Sequence, residues 1–166
     1  FCSIRICDLL GMCSGISYDE KFKNDDTKTY YDPDLRSLAI YKTEIGLEPD
    51  KEFLYNNYNP LILGIIIERV AGMSVSSCLE KNIWQPMGAE NDGSWSLDSN
   101  KYAFEKMESG INGHTMDFAR FGCLYRDLGI INGKRVISEE WIQNQKEESF
   151  ESQESLKDTY PRNRPA

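Results

Sequence analysis

The amino-acid sequence predicts a mainly α-helical fold with one minor β-hairpin. The stretch 61–70 is apolar around most of a helical circumference and stands between helix-start and helix-stop signals. A second stretch, 115–128, carries aromatic residues at helical spacing. The clearest strand signal is Asn132-Gly133, a tight-turn pair between two short apolar runs. Apolar helix faces are numerous for so few strands, so we expect part of this surface to pack against a sheet.

Five of the six predicted helices begin at a residue type that favours a helix start. Pro33 starts the second helix, Asn59 and Ser74 cap the next two, Thr115 caps the fifth and Ser138 starts the last. The predicted ranges are 4–12, 33–45, 60–71, 74–83, 115–128 and a segment that begins at 138.

Three polar stretches are predicted to lie outside helices. Residues 19–34 are acidic and read as a surface loop, and residues 88–114 are rich in Gly, Asn and Ser, as loops and turns are. From Lys146 onward there is almost no apolar content. We therefore expect one helical domain over residues 1–145 and a polar, disordered tail over 146–166.

Charge and hydropathy exclude several classes of partner. The formal net charge is −8, whereas nucleic acids and anionic membranes reward clustered Lys and Arg. No apolar run approaches the roughly 20 residues that a membrane span needs. The five cysteines are odd in number and match no zinc or redox spacing, so we expect free thiols, which favours a cytoplasmic compartment. The sequence begins at Phe1 without a signal-peptide pattern, and any export signal would lie upstream.

The stretch Tyr55-Asn56-Asn57-Tyr58-Asn59 raises the question of function. It places two tyrosines and three asparagines directly before one of the most apolar helical stretches of the chain. One interpretation is helix capping, which suits Asn59 before Pro60. The other is a catalytic tyrosine with an amide partner. A Cys–His nucleophilic pair that uses His114 also stays open, although nothing marks any thiol as activated.

Four segments in order resemble the serine β-lactamase-like hydrolases, the group of class C β-lactamases, DD-peptidases, esterases and 6-aminohexanoate-dimer hydrolases. "IRICDLLGMCSGI" resembles a helix and turn ending in Ser14-Gly15, and "FLYNNYNPLILGIIIERVAG" resembles the Tyr-x-Asn motif and its helix. "IWQPMGAENDGSWSLDS" resembles a Trp-x-Pro-Leu-Gly-Met turn. "MESGINGHTMDFARFGCLYRDLGIINGKRVISEEWI" resembles a Gly-rich turn, an Asp-x-Ala-Arg-Phe helix and a closing Trp helix. The likeness covers residues 4–143.

The sequence also departs from that family pattern. The family's nucleophile lies in a Ser-x-x-Lys motif and its third motif is Lys-Thr-Gly or a His-x-Gly equivalent, and neither occurs in these 166 residues. Asp50 stands where the family often has Gly, and Arg5 stands where a Thr cap is usual. The resemblance therefore implies the helical region of the serine β-lactamase/DD-peptidase α/β fold, truncated at both ends.

The resemblance implies roles for individual residues. Tyr55 would be the general acid/base, with its pKa lowered by the lysines of the other motifs. Asn57 would orient the site, offering an N–H to a substrate carbonyl and its oxygen to the motif lysine. Both residues are expected on an exposed or half-exposed surface just before the 60–71 helix. Ser109 and Gly110 match a turn at the pocket rim, and Trp95 is either a packing residue or a substrate platform.

The function implied is a serine hydrolase that cleaves amide, ester or β-lactam bonds through an acyl-enzyme. Its substrate would be a small molecule or peptide-like, and no cofactor or metal is expected. The 166-residue chain alone is expected to be inactive. The alternative is a non-catalytic or degenerate β-lactamase-like binding domain. The sequence leaves the substrate and the oligomeric state open.

Overall fold

Helix α4, Tyr58–Ala71, is the centre of the hydrophobic core in the computed structural model, which describes residues 2–145. Leu61, Ile62 and Ile65 are buried on it, as the apolar periodicity predicts. A Cβ built on Gly64 would lie 2.4 Å from Cγ of Met107, so the glycine lets a neighbouring turn approach the helix closely. The predicted core helix is thus confirmed, and it begins two residues earlier than expected.

The chain divides into two units, residues up to Glu80 with Asp92–Gly113, and residues Lys81–Asn91 with those from His114 onward. In the first unit, α4 packs against α1, α3 and α5. The elements of this unit are α1 (Ile6–Leu10), α2 (Asp25–Tyr31), α3 (Leu35–Tyr41), α4, α5 (Val75–Leu79) and the antiparallel strands β1 (Ser94–Trp95) and β2 (Ile111–Asn112).

The acidic stretch predicted as a surface loop contains a helix, and that part of the prediction is wrong. Helix α2 occupies Asp25–Tyr31, and it buries Asp25 and Thr29. The Asp25 carboxylate is used inside the protein as a hydrogen-bond acceptor, for the Asp19 N–H and the Tyr58 hydroxyl. Burial of a carboxylate is tolerable when such bonds satisfy it.

Residues 12–17 and 44–54 run side by side without forming a regular β-sheet, and we call this pair of segments the ribbon. Ile16 and Ile45 form an isolated antiparallel bridge. Backbone bonds continue the pairing: Asp50 N–H donates to the Cys13 carbonyl and Leu54 N–H donates to the Met12 carbonyl, both at 2.8 Å. The ribbon therefore fixes the chain that leads into α4.

The second unit is built around α6, Thr115–Arg126. The residue that caps this helix is His114, whose Nδ1 accepts from Met116 N–H at 3.4 Å, so the predicted Thr115 cap is wrong by one position. Strands β3 (Ile130–Ile131) and β4 (Lys134–Arg135) form the hairpin that Asn132-Gly133 predicts. A last helical segment, α7, covers residues 139–145.

Asp117 on α6 holds the segment before β1. Its buried carboxylate accepts from the backbone N–H groups of Glu90 and Asn91 at 3.0 and 3.1 Å, and Arg120 pairs with it at 2.5 Å. Hydrogen bonds from Glu90 N–H and from the Asn91 side chain lower the pKa of Asp117 to about 2. The Asp-x-Ala-Arg-Phe segment thus has a structural purpose, since it anchors the turn that follows Met87.

Ser74 caps α5 as predicted, its hydroxyl accepting from Ser77 N–H at 3.2 Å. The predicted helix 74–83 is present as α5 followed by a π-helical turn, Glu80–Trp84. Within residues 2–145, no single helix is long and apolar enough to cross a membrane; only α4 taken with α5 and the π-helical turn reaches that length, and this pair is bent by 70°. The predicted polar tail, 146–166, lies outside the described residues.

Candidate active site

Tyr55 projects from the stretch that joins the ribbon to α4. Its side chain is 63 % exposed. The preceding residue, Leu54, is the last residue of the ribbon and donates its N–H to the Met12 carbonyl, and α4 begins three residues after Tyr55. The position is therefore rigid on both sides, while the phenol itself is open to solvent.

Asn59 is not the cap of α4, contrary to the sequence prediction. It is the second residue of the helix and is fully buried. Its Oδ1 accepts from Ser14 Oγ at 2.6 Å, and its Nδ2 contacts Met12 Sδ at 3.2 Å. Ser14 lies 45 residues earlier, so this amide fastens the ribbon to the start of α4.

The capping role belongs to Asn56, which the sequence alone does not distinguish from a loop polar group. Its Oδ1 accepts from Asn59 N–H at 3.1 Å, and its Nδ2 donates to the Leu54 carbonyl at 3.2 Å. The side chain is buried. Asn56 thus satisfies a backbone donor of the first turn that would otherwise have no partner.

Asn57 is buried, whereas the sequence predicts it beside Tyr55 on an exposed or half-exposed surface. Only 8 % of the residue is accessible. Its Nδ2 donates to three acceptors: Tyr18 Oη at 2.9 Å, Asp26 Oδ1 at 3.2 Å and Thr29 Oγ1 at 3.3 Å. Asn57 therefore faces α2 with its amide nitrogen.

Two further tyrosines close to Asn57 donate hydrogen bonds to aspartates. Tyr58 donates to Asp25 Oδ1 at 2.9 Å and Tyr18 donates to Asp26 Oδ1 at 3.3 Å. Burial, together with the hydrogen bond to Asp25, raises the pKa of Tyr58 above its usual value. Burial also raises the pKa of Tyr18, and the charge of Asp26 adds to the effect. Both phenols therefore stay neutral at ordinary pH. Tyr58, which the sequence alone does not distinguish from a loop polar group, is a buried core residue.

Gly15 permits the closest backbone approach in the ribbon. Its φ is +74°, in the left-handed region that favours glycine, and a Cβ there would lie 2.2 Å from the Leu47 carbonyl oxygen. The Leu47 N–H in turn donates to the Gly15 carbonyl at 3.2 Å. In the Ser14-Gly15 pair, Ser14 thus bonds to Asn59 of α4, and Gly15 permits the close approach of Leu47.

The two substituted positions of the family pattern, Arg5 and Asp50, contact each other. Arg5 precedes α1, and its guanidinium pairs with Asp8 at 2.6 Å and with Asp50 at 3.1 Å. Asp50 has a φ of +64°, the conformation that favours the family's glycine. Asp tolerates this region better than most residues, and the pairing with Arg5 accompanies it.

In the first unit, Trp95 lies on β1 and its ring packs against the turn that carries Ser109 and Gly110. The Trp95 indole N–H donates to the Lys106 carbonyl at 2.8 Å, and a Cβ on Gly110 would lie 2.5 Å from the Trp95 ring. Gly110 is buried and Ser109 is exposed. Among residues 2–145, no hydrogen bond, ion pair or ring contact joins this turn to Tyr55 or Asn57. Their suggested role at a substrate pocket remains a prediction.

Sequence reasoning missed the residues that hold Asn57 and Tyr58. Asp25, Asp26 and Thr29 belong to the stretch interpreted as loop, and Tyr18 lies just before it. The sequence does contain a signal for this helix. Asp25 and Lys28 are three residues apart, a spacing that places opposite charges on one helical face. In the structure their side chains pair at 2.9 Å. No cluster of three or more His, Cys, Asp or Glu side chains that could hold a metal occurs in the described part of the chain.

Comparison with known proteins decides the family. The family model described as Beta-lactamase matches residues 1–165. The chain belongs to the Beta-lactamase family. Among curated proteins, the 6-aminohexanoate-dimer hydrolase of Paenarthrobacter ureafaciens is 30 % identical over 93 residues, which are 56 % of this chain and 23 % of that protein. The chain thus spans less than a quarter of the length of this relative.

Solved structures confirm that the mainly helical fold is a region of the Beta-lactamase fold. A structure named "Putative 6-aminohexanoate-dimer hydrolase from Bacillus anthracis" superposes with a TM-score of 0.73 at 22 % identity, covering 82 % of this chain and 39 % of that one. A penicillin-binding protein from Bacillus halodurans gives 0.62 at 18 % identity, covering 84 % of this chain and 51 % of that one. Both likenesses establish the fold.

Proposed function

We propose that this chain supplies the general acid/base part of a serine hydrolase site that cleaves amide, ester or β-lactam bonds through an acyl-enzyme. Tyr55 is the acid/base and Asn57 the orienting amide. The serine nucleophile is assigned to no residue of this chain. Support comes from the family membership and from the Paenarthrobacter relative, which is named as a hydrolase of the 6-aminohexanoate dimer.

The observation that carries the proposal is the contrast among three neighbouring tyrosines. Tyr18 and Tyr58 are bound to aspartates, which favour the protonated phenol. Tyr55 is exposed and has no aspartate partner in the described part of the chain. A phenol that exchanges protons with a serine and a leaving group must be accessible, and it must be free to accept a proton.

Rigid placement of Tyr55 is the second requirement. Acid/base groups must be held within about 0.5 Å of the productive geometry. The Leu54 bond to the ribbon and the buried Ser14–Asn59 bond fix the chain before and after the tyrosine. In the proposed reaction, the Tyr55 oxygen takes the proton from the attacking serine hydroxyl. It then gives a proton to the leaving amine or alcohol.

The test uses the complete gene product that contains this sequence, with nitrocefin, p-nitrophenyl esters and a 6-aminohexanoate amide as substrates. Tyr55→Phe should lower kcat on the best substrate by about 100-fold or more with KM little changed, because it removes a general acid/base. Tyr41→Phe is the matched control, since Tyr41 is 82 % exposed and outside the site.

The purified 166-residue chain should show no hydrolysis above background. Retention of at least a third of kcat by Tyr55→Phe would refute the acid/base role. A complete gene product that hydrolyses none of these substrates and forms no covalent adduct with a penicillin or a fluorophosphonate would favour the non-catalytic alternative.

A further inference from the structure

The first turn of α4 is bonded to α2 through Tyr58 and Asp25. The Tyr58 hydroxyl donates to Asp25 Oδ1 at 2.9 Å, and the two residues are 33 positions apart in the sequence. Tyr58 is the first residue of α4, three positions after Tyr55, and it is only 2 % exposed. The bond therefore holds the part of α4 that lies nearest to Tyr55 along the chain.

The carboxylate of Asp25 is itself held by several donors. Its Oδ2 accepts from the Asp19 backbone N–H at 2.9 Å, and its Oδ1 pairs with Lys28 at 2.9 Å. The Asp25 backbone N–H in turn donates to the Asp19 carbonyl at 3.2 Å. Asp25 is buried, with 5 % of the residue exposed. Its Oδ1 is thus a fixed acceptor, and the position of this oxygen determines where the Tyr58 hydroxyl lies.

The Tyr58–Asp25 bond contributes direction more than stability. Burial of a carboxylate costs free energy that its hydrogen bonds must offset, so the net contribution of one such bond is modest. The Tyr58 ring packs in the core and lies edge-on to the Tyr18 ring, with the centroids 5.5 Å apart. A phenylalanine would keep both of these ring contacts. What the hydroxyl adds is one directional bond, which restrains rotation and sliding of the first turn of α4.

We propose that Asp25 and Tyr58 are positioning residues for the candidate active site. The carboxylate, acting through the Tyr58 hydroxyl, fixes the first turn of α4 and with it the Tyr55 phenol. The proposal rests on the proposed function, and it adds α2 to the elements that support the site. The Ser14–Asn59 bond and this pair hold neighbouring residues of α4 from two different segments, the ribbon and α2. Two such attachments restrain the end of a helix against rotation, whereas a single attachment does not.

The test uses the complete gene product with its best substrate. Tyr58→Phe removes only the hydroxyl and leaves Asp25 its other donors, so Tm should fall by about 5 °C or less. We expect kcat to fall about 10-fold or more with KM changed less than about 3-fold, because displacement of a catalytic group by about 1 Å costs up to about 100-fold in rate. Tyr125→Phe is the matched control, since Tyr125 is a partly buried tyrosine of the second unit whose ring also contacts an aromatic ring.

A kinetic cycle shows whether Tyr58 acts through Tyr55. In the Tyr55→Phe protein, adding Tyr58→Phe should change the residual kcat by less than about 3-fold, because the hydroxyl that it would displace is already absent. A purely structural role would lower kcat by the same factor in both proteins. If Tyr58→Phe does not fold, Asp25→Asn replaces it in the cycle, since one amide oxygen cannot accept at both carboxylate positions. Asp117→Asn, which neutralises a buried carboxylate of the second unit, is the control for that variant.

A second cycle tests whether Asp25 acts through Tyr58. Asp25→Asn should lower kcat at least about 3-fold in the wild-type protein and add less than about 2-fold to Tyr58→Phe. The proposal is overturned if Tyr58→Phe keeps kcat within about 2-fold of wild type, or if its factor is the same with and without the Tyr55 hydroxyl. Failure of the proposed function appears separately, as retention of kcat by Tyr55→Phe alone.

Discussion

Replacing Asn59 by Ala tests whether this residue fastens the ribbon to α4. The substitution removes the acceptor of the Ser14 hydroxyl, which is 1 % exposed and donates at 2.6 Å. A buried donor left without a partner costs about 1–3 kcal/mol, and the lost side chain leaves a void as well. We expect the free energy of unfolding to fall by about 2–4 kcal/mol. An ordinary helix cap would cost about 1 kcal/mol.

The assay is urea unfolding followed by far-ultraviolet circular dichroism, with equal m-values as the condition for comparison. The double variant Ser14→Ala/Asn59→Ala removes the stranded hydroxyl, so it should be less destabilised than the sum of the single variants by about 1–2 kcal/mol. Tyr55→Phe should lie within about 0.5 kcal/mol of wild type, since its phenol is exposed. Additive single and double variants, or an Asn59→Ala cost below about 1 kcal/mol, would refute the fastening role.

Two further outcomes are expected. Gly15→Ala should lower the free energy of unfolding by about 2–4 kcal/mol in the same assay, because a Cβ there would lie 2.2 Å from the Leu47 carbonyl oxygen in a left-handed conformation. The control is Gly72→Ala, which has a φ of +65° and nothing within 4 Å, and which should lower it by only about 1 kcal/mol. Equal losses for the two variants would contradict the close approach at Gly15. The lowered pKa of Asp117, about 2, gives stability that is present above about pH 4 and lost as the pH falls towards 2. Between pH 5 and pH 2, the Tm of Asp117→Asn should therefore fall less than that of wild type, and parallel curves would contradict this.

Features set by neighbours in sequence could be predicted, as α4 and the β3–β4 hairpin show. The helix follows from an unbroken apolar periodicity that ends at Gly72, and the hairpin follows from Asn132-Gly133, both with positive φ. These signals act over a few residues and need no knowledge of the fold.

Features set by distant partners could not be predicted. The position of Asn59 before Pro60 predicts a cap of α4, but its side chain turns to Ser14 and leaves the cap to Asn56. The sequence predicts Asn57 near the surface, but Tyr18 and Asp26 draw its amide inward. An asparagine before a helix has several possible partners, and only the packed structure selects among them. The family resemblance implies that the amide nitrogen of Asn57 faces the substrate, whereas in this structure it faces α2.

The Ser14–Asn59 bond also has a consequence for the order of folding. It closes a loop of 45 residues, and the entropic cost of such closure, about (3/2)RT ln n, is roughly 3 kcal/mol before any constant term. Helix α4 needs only local contacts to begin forming, whereas the placement of Tyr55 requires this long closure. We expect the candidate site to assemble late, after the core helices have docked. A partly unfolded chain would then keep α4 and lose the geometry around Tyr55 first.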